Sequence, residues 1–185
     1  MKAISMLLAL ILSSVCSASP LQQPQPPAGD VPWKITVTPP GEPGEPLIVS
    51  GTVFDSDGTT PLAGIPVYVY QTDAKGFYTP ADAMDSKNSR LRGWMKTNRE
   101  GKYEFRTIKP GPYPSGGPPA HIHYVVSAPG FRERVFEIVF QGDPRIDDQI
   151  RAMAAREDSA FSIRALDRDG QGVLRCVQDI KMRRE

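Results

Sequence analysis

The feature that most constrains this chain is a hydrophobic period of two. Apolar and polar residues alternate through "PLIVSGTVFD" (Pro46–Asp55), "IPVYVYQTD" (Ile65–Asp73), "KYEFRTI" (Lys102–Ile108), "HIHYVVSA" (His121–Ala128), "ERVFEIVFQG" (Glu133–Gly142), "FSIRALD" (Phe161–Asp167) and "GVLRCVQD" (Gly172–Asp179). Residues two apart share one face of a strand, whereas a helix brings together residues three and four apart. Gly, Pro and Asp clusters close each run, as in "DSDGTTPLAG", "NREG" and "DRDGQ". Short strands at this spacing predict an all-β chain built as a β-sandwich. The one helical candidate is "PRIDDQIRAMAARED" (Pro144–Asp158), enough for one or two surface turns. "DSDG" and "DRDG" lack the glutamate that closes an EF-hand loop, so they read as β-turns in which Asp caps and Gly takes positive φ.

The first residues carry a different signal. Lys2 precedes an apolar run from Ala3 to about Leu12, followed by small residues with Cys16 and Ala18 at −3 and −1 of a cut after Ala18. This is the layout of a secretory signal peptide, residues 1–18. A retained anchor and a lipidated Cys16 are the alternatives. Residues 19–32 have the Pro-rich composition of an extended linker, and 33–185 form one domain. The chain has 22 Lys and Arg against 21 Asp and Glu. Loss of the leader removes Lys2 alone and leaves a balanced charge, which gives no electrostatic basis for binding nucleic acid or a membrane. Cys176 is then the remaining cysteine. It reads as a small core hydrophobe, with no disulfide framework to support the fold.

Both histidines of the chain, His121 and His123, stand in one H-x-H. On a strand they project from the same face with Ile122 on the other, and can share one metal ion or form an exposed pair. Two tyrosines change the balance. Tyr113 is held between Pro112 and Pro114, eight residues before His121, and Tyr78 follows a strand and a Gly turn. Two phenolates with two imidazoles suit a hard, highly charged metal and point toward ferric iron. Zinc favours Cys, His and carboxylate. Tyr68, Tyr70, Tyr103, Tyr124, Trp33 and Trp94 read as packing residues or pocket wall.

"AGIPVYVYQTDAKGFY", "LRGWMKTNREGKYEFRTIKPGPYP", "PAHIH" and "FEIVFQGDP" resemble, in order, the motifs of the intradiol ring-cleavage dioxygenases, from about Ser50 to Pro144. The resemblance implies that family's β-sandwich, of prealbumin-like topology, around a non-haem Fe(III). It implies Tyr78, Tyr113, His121 and His123 as metal ligands, with Tyr113 the labile one that accepts a proton from the substrate. The implied reaction joins a small aromatic diol and O2 to give a cis,cis-muconate-type product. A homo-oligomer is compatible with the resemblance.

Two positions depart from the family pattern. Pro118 stands where many members carry an arginine, and Arg90, Arg92 and Arg134 are the candidate replacements. Glu137 stands where a glutamine is frequent. Facing the site it adds an acidic, catalytic group; facing out it is solvated. The strands and turns of "GTVFDSDGTTPLAGIPVYVY" and "TNREGKYEFRTIKPGPY" also resemble exported prealbumin-like modules that bind without catalysis. A homologue that binds iron and catechols with weak turnover lies between the two readings. The leader implies export, secreted or periplasmic.

Overall fold

The alternating runs become strands because each has one face to bury. In the computed structural model, which describes residues 25–79 and 86–185, they are, in chain order, β1 (Lys34–Thr36), β2 (Pro46–Phe54), β3 (Pro66–Gln71), β4 (Leu91–Lys96), β5 (Lys102–Ile108), β6 (His121–Val126), β7 (Phe131–Arg132), β8 (Arg134–Phe140), β9 (Phe161–Arg164), β10 (Asp167–Arg168), β11 (Leu174–Val177), β12 (Ile180–Lys181) and β13 (Arg183–Arg184). Helix α1 (Asp148–Ala154) joins β8 to β9, capped by the Asp147 carboxylate on the Ile150 amide. The expected leader and the first part of the expected linker lie outside the described residues. Residues 25–32 form no strand or helix.

Two sheets form the sandwich. One runs β1-β5-β2-β11-β10, with β12 also on β2; the other runs β4-β3-β6-β8-β9. A third ladder, β13 on β7, ties the C-terminus down. The inner faces meet in one apolar cluster. Leu47, Val49, Phe105, Cys176, Val67, Val69, Ile122, Tyr124, Phe136 and Ile138 are all 2 % exposed or less. Each fully buried aliphatic or Phe side chain contributes about 1.5–3 kcal/mol, so this layer can carry the fold with no disulfide among the described residues. Burial pushes the Cys176 thiol up to about 11, consistent with its reading as a core hydrophobe.

The long runs lie where the alternation put them. The short strands β1, β7, β12 and β13 were not anticipated, nor was β4. Its inward row is Leu91, Gly93 and Met95, and the glycine hides the pattern. Glycine there leaves room for Ile35, which crosses from β1 and whose Cδ1 would lie 2.4 Å from a Cβ at position 93. The two β-turns form, with one correction. Asp57 accepts from the Thr59 and Thr60 amides beside Gly58 at φ +75°. In the second turn Asp169 accepts from Gln171 and Val173, and it is Gly172, not Gly170 of "DRDG", that takes positive φ (+82°). The chain also changes sheets here: β9 joins β8, while β11 pairs with β2.

Candidate metal centre

Strand β6 sets the polarity of the site. Ile122 is fully buried in the core, so His121 and His123 face outward from the sandwich. Cross-strand register places His123 between Tyr70 of β3 and Glu137 of β8. Directly paired residues share a face, and Tyr70, His123 and Glu137 therefore form one row. The Tyr70 ring stacks on His123 at 4.2 Å between centroids and 8° between planes.

Two loops deliver the tyrosines. After β3 the chain turns on Asp73, whose carboxylate accepts from the amides of Lys75 and Phe77. Gly76, at φ +87°, completes the turn and Tyr78 follows. The loop after β5 lies against it, with the Gly111 amide on the Asp73 carbonyl at 2.8 Å and the Thr72 hydroxyl on the Gly111 carbonyl at 2.8 Å. A Cβ at Gly76 would lie 2.1 Å from the Pro112 carbonyl oxygen, and one at Gly111 would lie 2.4 Å from that of Ala74. Only glycine at both positions lets the two backbones touch, and that contact brings Tyr78 and Tyr113 together.

The four side chains named from the sequence converge on one point. Tyr78 Oη lies 2.7 Å from Tyr113 Oη and 2.8 Å from His123 Nε2. His121 Nε2 lies 3.1 Å from His123 Nε2 and 3.1 Å from Tyr113 Oη. These contacts close a ring of two oxygens and two nitrogens.

The far nitrogens fix the tautomers. His121 Nδ1 lies 2.7 Å from the Pro119 carbonyl, which can only accept. His123 Nδ1 lies 3.1 Å from Glu137 Oε1. The Glu137 carboxyl is pushed up by burial but held below its ordinary range by its hydrogen bond to His123 and by the two imidazoles. Both Nδ1 atoms therefore carry the proton, and both Nε2 lone pairs point into the ring. Two phenol protons serve four contacts, and the Nε2–Nε2 contact at 3.1 Å receives none. A cation relieves that contact.

The ring dimensions fit a metal. Ligand atoms about 2.0–2.1 Å from one ion with right angles between bonds stand about 2.8–3.0 Å apart, the scale of all four contacts. Burial, and secondarily the neighbouring Tyr113 phenol, hold the Tyr78 phenol well above its ordinary range. Burial raises Tyr113 too, and the Glu137 charge adds to it. Burial followed by the charge of His123 lowers His121, favouring the neutral imidazole a metal needs. Carboxylate chemistry is also close. One ligand atom each of His121, His123 and Glu137 lie within 4.8 Å of one another, although Glu137 spends its hydrogen bond on the side of His123 away from the ring.

The three arginines weighed as replacements at Pro118 are all engaged. Arg90 pairs with Glu42, Arg92 donates to the Asn88 and Ser89 carbonyls, and Arg134 donates to the Lys181 carbonyl. The guanidinium beside Pro118 comes from Arg145, which sequence reasoning missed. Its Nη1 donates to the Tyr113 carbonyl at 3.2 Å and the Pro118 carbonyl at 3.4 Å. Asp143 adds a second tie, accepting from the Ala120 and Arg145 amides. The signal available was the "FQGDPR" run after β8, but nothing local showed that it folds back on the "GPYP" loop. Tyr70 was read as pocket wall, and only the register shows it against His123.

Comparison with known proteins shows the family of the chain. Residues 33–182 match the dioxygenase family model. The chain is 37% identical over 142 residues to catechol 1,2-dioxygenase 1 of Acinetobacter lwoffii, covering 68% of this chain and 45% of the relative. It is 34% identical over 137 residues to hydroxyquinol 1,2-dioxygenase of a Rhizobium strain, covering 65% and 43%. The chain thus spans less than half the length of these curated relatives. Among solved structures, catechol 1,2-dioxygenase from Acinetobacter sp. ADP1 superposes with a TM-score of 0.66 at 29% identity, covering 84% of this chain and 59% of that one. The dioxygenase domain of a dioxygenase–carbohydrate-binding fusion from Streptomyces sp. SirexAA-E gives 0.63 at 27% identity, covering 88% of this chain and 99% of that one. With a match across the whole sandwich and these motifs in their places on it, the chain belongs to the intradiol ring-cleavage dioxygenase family.

Proposed function

We propose that this protein is a non-haem iron-dependent intradiol dioxygenase. It opens a catechol-type ring between the two hydroxyl-bearing carbons with O2, giving a cis,cis-muconate-type dicarboxylic acid. The observation that carries the reading is the closed ring of Tyr78, Tyr113, His121 and His123 at 2.7–3.1 Å. Two hard phenolate oxygens in that set favour a trivalent ion over zinc.

Ferric iron, which Tyr78, Tyr113, His121 and His123 would hold, would supply the Lewis acidity that makes the diol ring reactive toward O2. The chain's own residues do the rest. His121 and His123 present fixed lone pairs, Tyr78 is held from below by the Gly76 turn, and Tyr113 sits on a loop of its own. Tyr113 is the proposed proton acceptor for the incoming diol. A phenol with a raised pKa is a stronger base once ionised, and burial supplies that rise. Glu137 borders the same space through His123. The leader of residues 1–18 adds the reading that the enzyme acts outside the cytoplasm on phenolics.

The test is a visible spectrum of the iron-loaded protein before and after anaerobic catechol, followed by oxygen uptake. A tyrosinate-to-iron band that shifts with catechol, and one O2 consumed per ring opened, is the expected result. A shifting band without O2 uptake fits the iron- and catechol-binding homologue instead. A colourless protein after iron loading overturns the reading.

A further inference from the structure

The two histidines of the centre are held differently, and the difference lies in one residue. His121 Nδ1 donates to a neutral backbone carbonyl, Pro119. His123 Nδ1 donates to a carboxylate, Glu137, its direct cross-strand partner. The His123 ring is bounded on both flanks of its row, with Tyr70 stacked on one side and Glu137 bonded on the other. Each partner comes from a different strand, so the arrangement belongs to the sheet rather than to a loop. No lysine or arginine forms an ion pair with Glu137 among the described residues. Its carboxylate, three-quarters hidden from solvent, meets the centre through His123 Nδ1.

We propose that Glu137 is a positioning residue that locks His123 in the Nδ1–H tautomer and, by lending its charge through that ring, biases the centre toward a trivalent over a divalent ion. This rests on the metal-binding part of the function proposed above and names what selects the ion's charge. A carboxylate accepting from a ligand histidine fixes the ring and makes it a stronger donor. The same charge also acts directly. Coulomb energy scales with the charge of the ion, so a buried anion near the site favours a trivalent ion half as much again as a divalent one. Glu137 therefore acts by its bond to His123 and by its field, without being a ligand itself.

The experiment uses the metal-free protein and two redox-inert probes, gallium(III) and zinc(II), so iron, oxygen and diol are all absent. Ring nitrogen shifts report the His123 tautomer by NMR. The wild type is expected to show Nδ1–H alone, and Glu137→Ala a mixture of tautomers. Glu137→Gln keeps the shape and removes the charge, and thermal melting checks that it folds. If it costs zinc about a hundredfold in affinity, Coulomb scaling costs gallium about a thousandfold, and the gallium-to-zinc ratio falls about tenfold. A single unchanged tautomer in Glu137→Ala overturns the proposal, as does an unchanged ratio in Glu137→Gln. A wild type that binds neither ion overturns it together with the metal centre. A protein with the expected ratio that consumes no O2 with catechol keeps this role for Glu137 and loses the dioxygenase activity.

Discussion

At the scale of single residues, Tyr78 stands at the junction of the site, in contact with both Tyr113 and His123. Tyr78→Phe removes an anionic ligand atom and leaves the His123 lone pair facing that of His121. Metal affinity should fall by more than about a hundredfold, read by chelator competition, while the metal-free fold is unaffected. The protons give a second prediction with a definite sign. Burial holds both phenols protonated through the neutral range. The His121 imidazole is lowered, so it is already neutral there and releases nothing. Binding that ionises both phenols should expel about two protons per metal at pH 7, and affinity should rise with pH. Proton release into a weak buffer checks it; no release would mean that the phenols do not ligate.

At the scale of elements, the site depends on two loops pressed backbone to backbone. Gly111→Ala puts a methyl group 2.4 Å from the Ala74 carbonyl oxygen, and one of the two loops must move. The strands that carry the histidines are not involved. The expected outcome is loss of metal binding by about tenfold or more, in line with displaced support around a ligand, with a small change in melting temperature. Equal losses of binding and stability would show that these loops hold the sandwich together as well. Arg145→Ala tests the other side of the Tyr113 loop. It frees the Tyr113 and Pro118 carbonyls and should weaken metal binding less than Gly111→Ala, because no backbone is forced apart.

At the scale of the molecule, β6 separates stability from chemistry by alternation. Ile122, fully buried between two outward histidines, belongs to the core. Ile122→Ala should cost about 2–5 kcal/mol of stability, measured by denaturant unfolding of the metal-free protein. His123→Ala, on the other face of the same strand, should cost less, because the crowded nitrogen contact it relieves offsets part of the lost Tyr70 stack and Glu137 hydrogen bond. If both cost the same, the centre is part of the metal-free fold rather than a site built upon it.

The sequence by itself determined the sandwich and named the four side chains that the fold brings together. A period of two is a local property, and each of the seven quoted runs, "PLIVSGTVFD" first and "GVLRCVQD" last, shows it without help from its neighbours. H-x-H, "GFY" and "GPYP" were likewise legible because each is a short run. Strand β4 was not, since Gly93 is explained by Ile35, a residue 58 positions away on another strand. The same limit governs the site's surroundings. Which way Glu137 faces, that Tyr70 stacks on His123, and that Arg145 rather than Arg90, Arg92 or Arg134 reaches Pro118 all depend on strand register and on a loop folding back. Alternation within a strand tells which residues share a face, but which of them stand opposite one another is a relation between distant segments, decided when the whole sandwich packs.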